Sequence, residues 1–300
     1  MAQSLKTRTI FRSATAFVGD VQCRPTDGGC SCEEVSRVDD FAFVRRGMFI
    51  KHVGKRECTA NPNHVVFFNR DEPYRVSHPI RGGDDCSVFS IRRDVLASIV
   101  AEFDPSAPDR RSSLFTSTDA GCDAALHMRH MRLLSKIERE ELTDVAVEEQ
   151  VLLLAREVMR QATSSLSRRC RAMRPETRRS RADCVEEAKR VISADFRTPL
   201  SLDDLSRRVH ASPYHLCRIF RDVTGRSIHA YRTDLRLRFA LDRLADGERD
   251  LTRLALELGF ADHGHFSSAF RRTFAIAPSQ FRLIASRKAV REMSRNLQVS

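Results

Sequence analysis

Residues Leu200-Ser-Leu-Asp-Asp-Leu-Ser-Arg-Arg-Val209, His210-Ala211 and Ser212-Pro-Tyr-His-Leu-Cys-Arg-Ile-Phe-Arg-Asp-Val-Thr-Gly225 spell a helix, a turn and a second helix. The same grammar returns after Asp250, as Leu251-Thr-Arg-Leu-Ala-Leu-Glu-Leu258, Gly259-Phe260-Ala261 and Asp262-His-Gly-His-Phe-Ser-Ser-Ala-Phe-Arg-Arg-Thr-Phe274. Ser212 and Asp262 offer side-chain oxygens to the orphan N–H groups of a helix start. Pro213 follows at the first helical position, where its missing N–H costs nothing, and Gly225 suits a left-handed helix end. Leu202, Leu205, Val209, Leu216, Ile219 and Phe220 mark the buried face of the first unit, and Leu254, Leu258, Phe260, Phe266, Phe270 and Phe274 that of the second. Between them, Ser227 to Leu244 carries Ile228, Tyr231, Leu235, Phe239 and Leu244 on one stripe. Its roughly 17 residues predict a strut about 25 Å long, near the roughly 34 Å between successive major grooves. Two such units imply a sequence-specific DNA binder.

From about Cys184 to Arg282 the chain resembles the AraC/XylS family of bacterial transcription regulators. The resemblance rests on Leu202-Asp-Asp-Leu205, Ser212 to Gly225, Arg236 to Leu244, and the run Gly259-Phe260-Ala-Asp-x-x-x-Phe266-x-x-x-Phe270-Arg-Arg-x-Phe274-x-x-x-Pro278-Ser-x-Phe281-Arg282. Ser268 stands where the family usually has Arg, and Ala275 where it usually has Gly. With Leu216, Ile219 and Phe220 inward, Tyr214, His215, Cys217, Arg218 and Arg221 form the opposite face of the first recognition helix. Arg218 is the leading base reader, since a guanidinium pairs bidentately with guanine. The resemblance places His263, His265, Ser267 and Ser268 at the DNA in the second unit, where neutral side chains suit positioning more than discrimination.

Charge argues independently. The chain holds 51 Lys and Arg against 40 Asp and Glu, a net +11. Residues 182–300 contribute 21 basic and 15 acidic, and residues 166–181 seven Arg and one Glu, which leaves −1 for residues 1–165. The positive field coincides with the tandem motif, as a polyanion partner requires.

Residues 1–95 read as short β-runs separated by Asn, Asp, Gly and Pro, among them Phe41–Val44, Gly47–Val53, His64–Asn69, Tyr74–Ser77 and Cys86–Ile91. They predict a small antiparallel β-barrel, and Val65 to Cys86 resembles the cupin-like sensor half of many family members. The fold class is therefore α+β. Residues 96–165 follow as a helical connector, with Ala124–Leu134 and Val145–Met159 as an antiparallel pair that either covers the barrel or forms a dimer interface. Residues 166–181 read as an Arg-rich linker, 182–285 as the all-α tandem helix-turn-helix domain, and 286–300 as a tail.

No stretch approaches the roughly 20 apolar residues of a membrane span, and Met1–Ile10 lacks the apolar block of a signal peptide, so a cytoplasmic protein without a membrane partner is expected. Nine cysteines fit reduced thiols better than a disulfide framework. Cys23, Cys30, Cys32, Cys58, His78 and Cys86 raise the question of metal or redox sensing, yet none shows zinc-hairpin spacing. Cys23, His78 and Cys86 are the pertinent set, His78 and Cys86 flanking a Gly-Gly-Asp-Asp turn. No nucleophile elbow, phosphate loop or His-Glu-x-x-His helix is present, so catalysis is not expected and no cofactor is implied. Cysteine-based alkylation repair would need closely spaced cysteines. The expected partners are double-stranded DNA and a second copy of the chain. RNA polymerase and a small-molecule effector stay open, against the alternative of a constitutive binder whose barrel only dimerises.

Overall fold

The computed structural model describes residues 4–25, 31–107, 110, 113–169 and 175–285. The N-terminal half contains β1 (Ser4–Arg12), β2 (Ala16–Arg24), β3 (Glu34–Val35), β4 (Asp40–Gly47), β5 (Phe49–Val53), β6 (Arg56–Ala60), β7 (His64–Phe68), β8 (Pro73–Ser77), β9 (Asp84–Ile91) and β10 (Asp119–Gly121). They form a six-stranded sheet in the order β1-β2-β9-β4-β7-β10 and a four-stranded sheet in the order β3-β8-β5-β6. Among the described residues the strands form two open sheets that face each other rather than the closed barrel expected. Strand alternation divides the larger sheet: Phe41, Phe43, Val65, Phe67 and Phe89 join one core, while Val44, Val66 and Cys86 meet Phe49 and Ala60 of the smaller sheet. The chain crosses between sheets at Gly47, which follows a register shift between Val44 and Arg46. Gly47 has φ +75°, and a Cβ there would lie 2.0 Å from the Gly83 carbonyl oxygen. β1 escapes a hydrophobic reading because it is an edge strand, paired on one side with β2 and largely exposed.

Helices α1 (Arg93–Ala101), α2 (Ala124–Glu138) and α3 (Asp144–Arg169) cover the outer face of the larger sheet. Val147, Val151, Leu154, Ala155 and Val158 of α3 are buried within this core, so of the two uses read for the helix pair this stripe serves the covering of the strands; Val145 and Leu153 remain exposed. The Arg-rich segment is also more regular than its composition implied. Helix α3 runs to Arg169 and α4 (Pro175–Asp195) starts at Pro175, with residues 170–174 and the tail 286–300 outside the described residues. Arginine is a good helix former, so scarcity of apolar side chains does not dictate irregular backbone.

The C-terminal half comprises α5 (Leu202–Arg208), α6 (Pro213–Thr224), α7 (Ile228–Ala245), α8 (Leu251–Glu257), α9 (His263–Phe274) and α10 (Pro278–Ala285). They share one core with α4, and every apolar position read from the two units is buried except Leu202, which is 39% exposed.

Helix α7 also docks the N-terminal half. Tyr231 Oη lies 2.7 Å from Asn61 Nδ2 and 3.1 Å from His64 Nε2, and Asn63 Nδ2 donates to the Tyr231 carbonyl. Arg238 donates to the Pro62 and Cys122 carbonyls, and Arg46 pairs with Asp242 and Asp246. Helix α4 adds Glu186, whose carboxylate accepts from the Thr59 N–H at 2.8 Å.

Candidate nucleic-acid interface

Both recognition helices start on a side-chain cap. The His215 N–H donates to Ser212 Oγ with Pro213 in the first turn, and the His265 N–H donates to Asp262 Oδ1 at 2.6 Å. Each cap satisfies a donor that would otherwise be orphaned, fixing where the helix begins and which face it turns outward. Helix α6 buries Leu216, Ile219 and Phe220 essentially completely, with Phe220 edge-on to Tyr231. Helix α9 buries Phe266 and Phe270, and Phe270 packs on Phe274 and Phe281.

The opposite faces carry the residues expected from the sequence. On α6, Tyr214, Cys217, Arg218 and Arg221 are exposed and His215 is half-buried. Tyr214, at 79% exposed, is a large ring with no packing role of its own. On α9, His263, His265 and Ser268 are exposed and Ser267 half-buried. His263 Nε2 lies 3.2 Å from Ser267 Oγ, so these two act as a pair, while His265 stands edge-on to Phe260. Arg218 and Arg221 have no ion pair among the described residues. The same holds for Arg271 and Arg272, exposed on α9 and omitted from the sequence-based set. Their signal was the Arg-Arg step following Phe270.

The units are held in register by arginines that point inward. Arg236 of α7 donates from Nε to the Phe196 carbonyl at 2.6 Å and from Nη1 to the Gly259 carbonyl at 2.8 Å, tying the end of α4 to the second turn. Burial and the neighbouring Arg232 charge lower its pKa to about 10. Gly259 is required there, because at φ +78° a Cβ would fall 2.2 Å from the Arg197 carbonyl oxygen. The first turn uses His210 at φ 53° in the corresponding place. Helix α7, with 18 residues, is about 27 Å long at 1.5 Å per residue.

The cysteine set resolves differently from the spacing. His78 and Cys86 both approach Asp84, and Cys23 joins them; Cys32 is exposed, Cys58 is buried, and Cys30 lies outside the described residues. Asp84 joins the set only through the pairing of β9 with β2, which no short window of sequence reveals.

A helix-turn-helix domain family model matches residues 205–283. The HTH-type transcriptional regulator ArgR of Pseudomonas aeruginosa is 28% identical over 152 residues, which span 51% of this chain and 44%, less than half, of that protein. The regulatory protein SoxS of Salmonella typhimurium is 34% identical over 84 residues, 28% of this chain and 78% of that one. A solved transcriptional regulator from Chromobacterium violaceum, described as an AraC-type DNA-binding domain-containing protein, is 30% identical, covering 35% of this chain and 94% of that one with a TM-score of 0.34. The chain belongs to the AraC/XylS family of bacterial transcription regulators.

Proposed function

We propose that the protein is an effector-responsive, sequence-specific transcription regulator whose N-terminal half governs DNA reading through its grip on α7. One observation carries this reading: the helix that spaces the two recognition helices is the helix on which Arg46, Asn61, Asn63 and His64 of the N-terminal half converge. Tyr214, His215, Cys217, Arg218 and Arg221 read bases and backbone from α6. His263, His265, Ser267 and Ser268 position α9, with Arg271 and Arg272 added as phosphate contacts.

A cleft of about 360 Å³ lies between the halves, lined by Asn63, His64, Lys189, Arg226, Tyr231 and Asp234. Asn63 Oδ1 is buried there without a hydrogen-bond partner. A small polar ligand in this cleft would touch both halves and so bias their docking, which favours effector response over a dimerisation-only role. The protein acts in the cytoplasm as a homodimer without catalysis, through surface outside the buried face of α3, and RNA polymerase is its downstream partner.

Selection of bound duplexes from a random pool with the full chain tests the reading. Enriched sequences should contain two short motifs about 10 base pairs apart, the spacing of successive major grooves on one face. A pool without enriched sequence would overturn it.

A further inference from the structure

Cys23, the penultimate residue of β2, lies directly opposite Asp84, the first residue of β9, in the register that also sets Val21 opposite Cys86. Cross-strand partners share a face, and so do residues two apart on one strand, so Cys23, Asp84 and Cys86 project to the same side. That side faces the smaller sheet, where Cys86 packs with Val44 and Phe49. His78 arrives from the smaller sheet, one residue beyond β8. Its Nε2 is 2.6 Å from Asp84 Oδ1, and Cys86 Sγ is 3.0 Å from Asp84 Oδ2. One donor atom each from Cys23, His78 and Asp84 lie within 4.8 Å of one another, and all three residues are buried.

Two features of the cluster are unexplained by packing. His78 Nδ1 is buried with no hydrogen-bond partner, a costly state for a ring nitrogen. The Asp84 carboxylate has no Lys or Arg partner among the described residues: Arg24 reaches only its main-chain carbonyl and gives its side-chain bond to Asp85. A buried carboxylate demands positive charge nearby.

We propose that Cys23, His78 and Asp84 bind a thiophilic divalent cation, with zinc the best match, and that Cys86 stands beside the fourth position. Sulfur, imidazole and carboxylate donors together suit zinc, whose ligand distances of about 2.0–2.3 Å need only a small closure of the present spacing. The cation supplies the charge that Asp84 lacks. The site also touches the proposed regulation and rests on that reading to this extent: the next residue, Asp85, pairs with Arg24 and lies 4.0 Å from Arg46, the residue that clamps Asp242 and Asp246 of α7. Drawing Asp84 onto a metal shifts the start of β9 and with it the Arg46 clamp.

Zinc and cobalt titrations of the full chain, read by competition with a chelating dye and by the thiolate-to-cobalt charge-transfer band, test the site. Wild type and Cys58→Ser should each bind one equivalent, while Cys23→Ser and His78→Gln should bind about tenfold more weakly or worse. Circular dichroism confirms that the variants are folded, and His78→Gln retains an amide able to bond Asp84. Absence of stoichiometric binding by wild type, or undiminished binding by both variants, would overturn the site without bearing on DNA reading. DNA affinity that changes with zinc in wild type but not in Cys23→Ser supports the coupling, and metal binding with unchanged affinity overturns it.

Discussion

The guanidinium of Arg238, 1% exposed, donates to the Pro62 carbonyl at 2.7 Å across the boundary between the two halves. A second bond from the same group reaches Cys122. A fully buried cation that α7 itself carries, held by main-chain carbonyls of the N-terminal half, ties that half to α7.

Arg238→Met keeps the aliphatic volume and removes both bonds, leaving two buried carbonyls unsatisfied. Each such group costs about 1–3 kcal/mol, so chemical denaturation should reveal a loss of at least about 2 kcal/mol or a separate early transition for undocking. Unchanged stability with a single transition would mean that this contact does not join the halves in solution.

Arg218 projects from α6 with no ion pair among the described residues, which leaves its donors available for a base edge. Arg218→Ala should weaken binding to a selected site by about 1–3 kcal/mol and relax preference at one base pair, with little effect on random DNA. An equal loss on both would assign the residue to the phosphate backbone.

What the sequence reveals and conceals follows from range. Ser212, Asp262 and Gly225 act on backbone within four residues, and Phe266 and Phe270 repeat at helical spacing, so their roles can be read from a short window. Arg238 and Asn61 gain their partners only when segments more than 100 residues apart meet, and nothing in the flanking sequence distinguishes Arg238 from a solvent-facing arginine. The metal set is intermediate. His78 and Cys86 were visible around one turn, whereas Asp84 needed the β2–β9 register. Val158 marks the limit of a short window, because periodicity identifies an apolar stripe without saying whether its own domain or a second copy covers it.

The docking contact should also respond to pH. His64 is fully buried between Asp119 and the Tyr231 hydroxyl, and its pKa is lowered, by burial first and by the Lys189 charge second. The unfolded histidine protonates near pH 6.5 while the folded one resists, so stability is lost as pH falls below about 6.5 toward the depressed folded value. Asp40, raised to about 6 by burial, works in the opposite direction over part of this window. The comparison is therefore between wild type and His64→Gln: the wild type should lose more stability from pH 7.5 to 5.5. Parallel profiles would exclude His64 as the titrating group.

Ala275 ends α9 in the left-handed conformation, φ 57° and ψ 17°, with its N–H donating to the Arg271 carbonyl at 2.8 Å. Gly225 ends α6 in the same way, at φ 72° and ψ 6°. The two helix ends thus pose one backbone problem with two residues, and only glycine meets it without a Cβ clash. A left-handed non-glycine residue costs about 1–2 kcal/mol, against which glycine's greater freedom in the unfolded chain recovers about 0.4–1 kcal/mol. Ala275→Gly should therefore stabilise the protein by about 0.5–1 kcal/mol, and Gly225→Ala should destabilise it by a similar amount. Urea unfolding of both variants decides the matter: a destabilised Ala275→Gly would mean that the methyl group makes contacts worth more than the backbone strain it imposes.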